Sequence, residues 1–352
     1  MVARNWKSFC LEHLGARTAN SARVKWSLFL SLLLALVLNP DPARASLHDV
    51  PRMGLSGRSW VRVRDWAVSR GLRAEWLVRD RTLELAGGFN RVLITLDSAE
   101  ILFNGTGVFL SHPVAARDGA LCISELDAAT VLAPLLRPPS LGAGKHIRTI
   151  CLDPGHGGKD PGNQEGTGQE KMYTLLLAQE LRAQLTKLGF NVVLTRAKDS
   201  FVDLEERPAL ARQRGADLFI SLHFNATPTG KNAVRGAETF CLTPAGASST
   251  NSRGAGANSG SVRGNANDDA NLWLAYQIQK SLRLSLGTED RGVRRARFAV
   301  LREAAMPAVL VEAGFLSHPG EGKKIGTAAY RKQIASAIAD AVLAYRKSVE
   351  RL

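Results

Sequence analysis

His156, His223, Glu170 and Glu312 are the residues of this chain whose types and positions could do chemistry together. His156 lies in the run Asp153-Pro154-Gly155-His156-Gly157-Gly158, His223 in Ser221-Leu222-His223-Phe224-Asn225-Ala226, and Glu312 in Val309-Leu310-Val311-Glu312-Ala313-Gly314-Phe315. Each run begins where an apolar, strand-like stretch ends: Ile150-Cys151-Leu152, Leu218–Leu222 and Ala308–Val311. In an open α/β sheet, ligands bind in the crevice beyond the carboxyl ends of the strands, so the three runs would meet at one edge. Two imidazoles and a carboxylate suit a catalytic zinc ion, which takes three protein ligands and keeps a fourth position for water. The chemistry implied is metal-dependent hydrolysis.

The glycines on both sides of His156 let the backbone turn sharply and present the ring. The carboxylate ligand is Glu165 or Glu170. Glu165 sits in a Gly-rich loop without fixed geometry, whereas Glu170 opens a long helix and points back at the preceding loop, which favours Glu170. A carboxylate in a first helical turn also complements the helix dipole with no metal at all. Asp153 is expected to order its turn or to support a ligand from behind. Glu312 follows four apolar residues, and a glutamate is almost never buried without a partner or a task. Desolvation there raises its pKa toward a value useful to a general base. The structural alternative is a salt bridge with Arg302 or Arg294.

The elements that must position these residues follow from periodicity. Residues 146–347, within a domain expected at 146–352, alternate strand and helix. Strands are expected at Ile147–Leu152, Val192–Leu194, Leu218–Leu222, Glu238–Leu242, Phe298–Leu301 and Ala308–Val311. Helices are expected at Glu170–Leu188, with Met172, Leu175, Leu176, Leu181, Leu185 and Leu188 on one side, at Leu204–Arg214, where Pro208 is a source of distortion, at Asn271–Leu286 and at Ala328–Tyr345. That alternation predicts an α/β domain with a mainly parallel sheet covered by helices on both faces. A linker at 138–145, rich in Pro and Gly, separates it from a small α+β domain at 46–137. There, Trp60–Val68 and Ile123–Leu136 have helical spacing, and Asn104-Gly105 and Asp118-Gly119 are hairpin-turn pairs. Residues 245–268 are Gly, Ser, Asn and Ala with almost no large apolar side chain, and are expected to form a mobile loop.

The first 45 residues have a basic region, an apolar run from Leu28 to Leu38 and Ala43-Arg44-Ala45, the pattern of a secretory signal peptide. The apolar run is shorter than the ~20 residues of a membrane span. The chain carries a net charge of +14, and removing a leader of net +4 leaves +10. A basic exported protein attracts polyanions such as a cell wall or membrane surface. There is no zinc finger, no RNA-binding aromatic signature and no concentrated basic helix, so nucleic acid is not an expected partner. Of four cysteines, Cys122, Cys151 and Cys241 lie beyond the leader; an odd number leaves at least one thiol free.

Residues 148–347 resemble the zinc-dependent N-acetylmuramoyl-L-alanine amidases of the amidase-3 family. The resemblance is carried in order by Asp153–Gly162, Glu170-Lys171, Leu194-Thr195-Arg196, Leu204 with Arg207, Ala216–Ala226, Arg291-Gly292-Val293 and Met306–Ser317. It implies that His156, Glu170 and His223 bind one zinc ion, that Glu312 is the catalytic glutamate, and that the substrate is peptidoglycan, cut between N-acetylmuramic acid and L-alanine. Asn225 and Arg294 are candidate substrate contacts, with Arg295 and Arg297 near the latter. The family carries Asn where this chain has His318. Some relatives block their site with a helix and need an activator, so an envelope activator protein is a candidate partner; the 245–268 stretch does not resemble such a helix. Residues 50–137 are similar to the small N-terminal domain of copper amine oxidases, through Asn104–Leu110 and Gly119–Leu126, a likeness that implies no copper site.

Overall fold

The computed structural model of the chain describes residues 50–350, apart from Ser56, Thr167 and residues 251–259. The expected leader and the centre of the 245–268 loop lie outside the described residues.

An eleven-stranded sheet forms the frame. From one edge it runs Asn191–Leu194, Thr149–Pro154, Leu218–Asn225, Ala308–Phe315, Ala237–Leu242 and Asp290–Ala296. It continues without a break through Thr106–Phe109, Glu100–Phe103, Asn90–Thr95, Thr82–Gly87 and Arg73–Val78. The junction is the parallel pair Val293 and Val108. A second sheet of four strands, within Arg52–Ser124, stands beside it.

The sheet is mixed rather than mainly parallel. Strands between Arg73 and Phe109 pair antiparallel, because short turns join them and a parallel pair needs a long crossover. Asn104-Gly105 is one of these turns and Asp118-Gly119 joins the last two strands of the four-stranded sheet, each with positive φ at both residues, the geometry that matches strand twist. Ala237–Leu242 also runs antiparallel to Ala308–Phe315. Around Thr149–Pro154, Leu218–Asn225 and Ala308–Phe315 the pairing is parallel.

Period-two alternation splits the core into two layers. Ile150, Leu152, Leu218, Ile220, Leu222, Val309 and Val311 face a large core with the helices Glu170–Lys187, Asp268–Leu286 and Ala328–Glu350. Cys151, Phe219, Phe240, Leu242, Ala308 and Leu310 face a smaller one, covered by Ala211 of the helix Glu206–Gln213 and by Val300 and Leu301 of the helix Ala299–Arg302. Continuing the alternation carries Asp153, Ser221, His223, Glu312 and Glu238 onto the thinly covered face, at the strand ends.

Some elements differ from expectation. Phe298–Leu301 is a short helix, not a strand; a four-residue apolar run fits either by periodicity, and the strand position beside Ala237–Leu242 belongs to Asp290–Ala296. That strand was hidden by its three arginines. One of them, Arg295, is only 2% exposed, with its guanidinium donating to Leu242 O and Thr130 O. Trp60 lies in the strand Arg58–Arg62, and the helix is Val63–Val68. Pro208 sits in the first turn of Glu206–Gln213, where its missing N–H would have had no partner anyway. The buried stripe of Glu170–Lys187 is Glu170, Thr174, Leu177, Ala178, Leu181 and Leu185, with Leu175, while Met172, Leu176 and Leu188 are exposed. All three described cysteines are free and buried.

Both described flanks of the 245–268 loop are anchored. Thr250 N donates to Arg295 O at 2.9 Å, and Asn265 Nδ2 donates to Thr243 O at 3.1 Å.

Candidate metal centre and active site

His156, Glu170 and His223 converge, with one donor atom from each lying within 4.8 Å of the others. Glu170 is the first residue of its helix and is almost wholly buried. Its Oε2 is 3.1 Å from His156 Nε2 and its Oε1 is 2.9 Å from His223 Nδ1. The carboxylate also accepts from Asn163 N, Asn163 Nδ2 and Phe224 N. Burial alone would push Glu170 up, but hydrogen bonds and charge from His156 and His223 outweigh it and hold it well below the usual carboxylate range. On His156, burial opposes the cation and the hydrogen bonds to Glu170 and Asp160 override it, so its pKa is raised. Glu165, the other carboxylate considered, is paired with Lys231 at 2.7 Å and lines a different pocket.

The loop that presents His156 is held open by its glycines. His156 itself has φ 60, a conformation that costs a non-glycine residue energy and persists only where the surroundings enforce it. A Cβ on Gly155 would fall 2.2 Å from the His223 ring, and one on Gly162 would fall 2.6 Å from His156 and 2.7 Å from Glu170 Oε2. The cluster of His156, Glu170 and His223 therefore occupies space that only glycine leaves.

Buried polar groups fix this loop from behind. Asp153 accepts from Thr195 Oγ1, Ser221 Oγ and Arg207 Nη1. Arg207 also donates to Pro154 O and His156 O, and Arg196 to Pro154 O and Gly155 O. These guanidiniums, 2% and 3% exposed, satisfy loop carbonyls that would otherwise be orphaned in the interior. Asp160 Oδ2 lies 2.8 Å from His156 Nδ1 and fixes the ring. Of these residues, Asp160, Asn163, Arg196 and Arg207 had no assigned role in the sequence reading. The available signal was two arginines, Arg196 just past the strand Asn191–Leu194 and Arg207 in the first turn of a helix.

Glu312 joins the cluster from the next strand. It is the register partner of His223 on one side and of Glu238 on the other. Its Oε2 is buried and has no hydrogen-bond partner among the described residues. Burial, then the charges of Glu170 and Glu238, raise its pKa well above the ordinary value. With His156, Asp160, Asn163, Glu170 and His223 it lines a cavity of about 400 Å³, whose other wall is apolar: Leu204, Phe298, Ala299, Val300 and Leu310.

Neither expected substrate contact lines that cavity. Asn225 Nδ2 donates to Glu238 Oε1 at 2.7 Å, and Arg294 Nε lies 2.9 Å from Glu238 Oε2. Arg295 is buried as described, and Arg297 donates to Pro244 O. His318 caps the helix Pro319–Ile325: its Nδ1 accepts from Glu321 N at 3.1 Å.

The donor set fits a metal ion. Two imidazoles and one carboxylate lie within reach of a common centre, His156 is braced by Asp160, and the side toward the cavity is open. A buried, unpaired glutamate beside such a centre is equipped to move a proton.

Residues 150–344 match the amidase-3 family model, described as N-acetylmuramoyl-L-alanine amidase. The chain is 38% identical over 231 residues to the N-acetylmuramoyl-L-alanine amidase AmiC of Neisseria meningitidis serogroup B, covering 59% of this chain and 55% of that protein. It is 34% identical over 226 residues to AmiA of Escherichia coli, covering 56% of this chain and 76% of that protein. The chain thus spans little more than half of the first relative. Among solved structures, an N-acetylmuramoyl-L-alanine amidase from Clostridium difficile 630 is similar at 33% identity with a TM-score of 0.48, covering 57% of this chain and 97% of that one.

Proposed function

The chain belongs to the N-acetylmuramoyl-L-alanine amidase family, and we propose that it is a zinc-dependent peptidoglycan hydrolase that cuts the amide between N-acetylmuramic acid and the L-alanine of the stem peptide. The observation that carries this reading is the unpartnered Glu312 Oε2 in the same cavity as the His156, Glu170 and His223 donors.

His156, Glu170 and His223 would hold the zinc ion, which would acidify a water and polarise a carbonyl. Glu312 accepts the proton of the attacking water on its carboxylate. The water oxygen bonds to the lactyl carbonyl carbon, the C–N bond breaks, and Glu312 returns the proton to the leaving alanine nitrogen. Burial favours this cycle, because a glutamate with a raised pKa takes up a proton near neutrality more readily than one in water does. Asp160 keeps Nε2 of His156 turned to the site by hydrogen-bonding Nδ1. The apolar wall of Leu204, Phe298 and Val300 excludes water from one side of the scissile bond.

The protein is exported to the periplasm or cell wall, where the reaction serves wall remodelling and daughter-cell separation. The 46–137 module contributes wall or partner contacts, and an envelope protein is a candidate activator. The test is to incubate the zinc-loaded chain with purified peptidoglycan and identify the fragments by mass spectrometry, with Glu312→Gln alongside. Free stem peptides beginning at L-alanine, absent with the variant, support the reading. Cleavage within the peptide instead would make the protein a peptidase.

A further inference from the structure

A row of side chains crosses the sheet on its thinly covered face: His223, Glu312 and Glu238 in register, then Arg294 and Phe109. Glu238 is 3% exposed and has two guanidiniums and one amide as partners. Its Oε2 meets Arg294 Nε at 2.9 Å and Arg291 Nε at 3.2 Å, and its Oε1 accepts from Asn225 Nδ2. Both guanidiniums are seated on aromatic faces, Arg294 over Phe109 at 4.4 Å and Arg291 over Phe315 at 4.9 Å. Glu312, one strand away, keeps a buried oxygen with no partner. Cross-strand register partners have Cβ atoms ~5 Å apart, so a guanidinium released by Glu238 could reach Glu312. An arginine paired with Glu312 would remove the base from use.

We propose that Glu238 is a positioning residue that sequesters Arg291 and Arg294 and so keeps Glu312 unpaired, with Phe109 of the N-terminal module holding Arg294 in that pose. The inference rests on the amidase reading for the role of Glu312. It makes the 46–137 module part of the catalytic machinery through one aromatic ring, in addition to any contact it makes elsewhere. It also explains why Arg294 lies outside the cavity.

The test uses the full chain with Glu238→Gln, Glu238→Asp, Phe109→Leu and the double variant Glu238→Gln/Arg294→Met. Glu238→Gln should lower kcat roughly ten- to a hundredfold, as loss of a residue supporting a site does, with KM within about twofold. Glu238→Asp, which keeps the charge and the fold, should fall between. Phe109→Leu should lower kcat severalfold. The double variant should recover at least half of the lost kcat, a rescue that a merely structural carboxylate would not show. A crystal structure of Glu238→Gln should show Arg294 within salt-bridge distance of Glu312. An unchanged kcat in Glu238→Gln, a double variant no better than the single, or an Arg294 still apart from Glu312 would overturn the proposal. A wild-type chain without amidase activity, together with Arg294 moved onto Glu312 in the variant crystal, would uphold the sequestering role and sink the amidase reading instead.

Discussion

His223 and Glu312 are register partners on adjacent parallel strands, and the register breaks immediately beyond them, where Asn225 pairs with Phe315. The pairing fixes a metal-ligand candidate and a base candidate one strand spacing apart, ~4.8 Å, on the same face of the sheet. The extra residue that follows lies in the stretch holding Gly314 at φ 151. Bulges recur next to active sites, where they re-aim the side chains that follow. A one-residue slip of the Ala308–Phe315 strand would turn Glu312 into the helix-covered core, and a slip of Leu218–Asn225 would do the same to His223.

Replacing Glu312 by Gln should therefore abolish turnover while sparing the metal. The expected loss is ~10²–10⁴-fold in kcat, the usual contribution of a positioned base, with one zinc still retained per chain by elemental analysis. Loss of zinc in parallel with activity would show that Glu312 holds the cluster together rather than moving a proton.

The same substitution should stabilise the metal-free protein. Burial raises the pKa of Glu312 in the folded chain, while an unfolded glutamate titrates near ~4.3. Between those values the folded state binds a proton that the unfolded state has lost, so stability falls as pH rises through that window, and the deficit stays above it. A neutral glutamine at this position has no such deficit. Urea melts of chelator-treated wild type and Glu312→Gln should coincide near pH 4 and separate in favour of the variant toward pH 8. Parallel curves throughout would mean that Glu312 is not desolvated.

The convergence of His156, Glu170 and His223 was legible because each lies near the end or at the start of an element with strong periodicity. His223 follows the buried run Leu218–Leu222 near the end of its strand, and Glu170 starts the helix where the sequence places it. Strand ends in an α/β sheet are ligand positions by topology, so two histidines there were informative. Glu238 was not legible, since its partners Arg291 and Arg294 belong to a strand disguised as a basic loop. The N-terminal junction was hidden too: pairing of Val108 with Val293 joins residues 185 positions apart, and no local pattern reports it. The mixed sheet follows from the same blind spot. Hairpin turns were visible, but which edge they would add to was not.

His318 should prove to be a cap and nothing more. His318→Asn restores a strong N-cap and should leave stability and activity within experimental error. His318→Ala removes the acceptor for Glu321 N and should cost ~1 kcal/mol of stability, with kcat unchanged. A fall in kcat at constant zinc content in the Asn variant would assign His318 to the reaction.

Arg207 should matter for stability and metal together. Its guanidinium pairs with the buried Asp153 at 2.9 Å and holds the carbonyls of Pro154 and His156. Arg207→Met leaves a carboxylate without its countercharge, a change that costs ~3–5 kcal/mol in a buried pair. Thermal melts should drop accordingly, and zinc affinity should weaken because His156 loses its backbone anchor. Asp153→Asn/Arg207→Met, which removes both charges, should be less destabilised than the single variant. If the double variant is the worse of the two, the pair acts through shape and not through charge.

Gly155→Ala isolates the geometry of the cluster from its chemistry. The added methyl would fall 2.2 Å from His223 and 2.7 Å from the ring nitrogen Nδ1, closer than carbon and nitrogen atoms can approach. No ligand, base or charge is removed, and the core strands are untouched. The His223 ring has to rotate or the His156 loop has to lift, and either motion separates donors now within 4.8 Å of one another. Zinc affinity, measured by competition with a chromogenic chelator, should fall ~10–100-fold, the range for disturbing the surroundings of a ligand. Far-ultraviolet circular dichroism should stay at the wild-type value, and saturating zinc should restore part of the activity. Unchanged zinc affinity would mean that His223 stands clear of Gly155 and that the space beside it is not what the cluster requires.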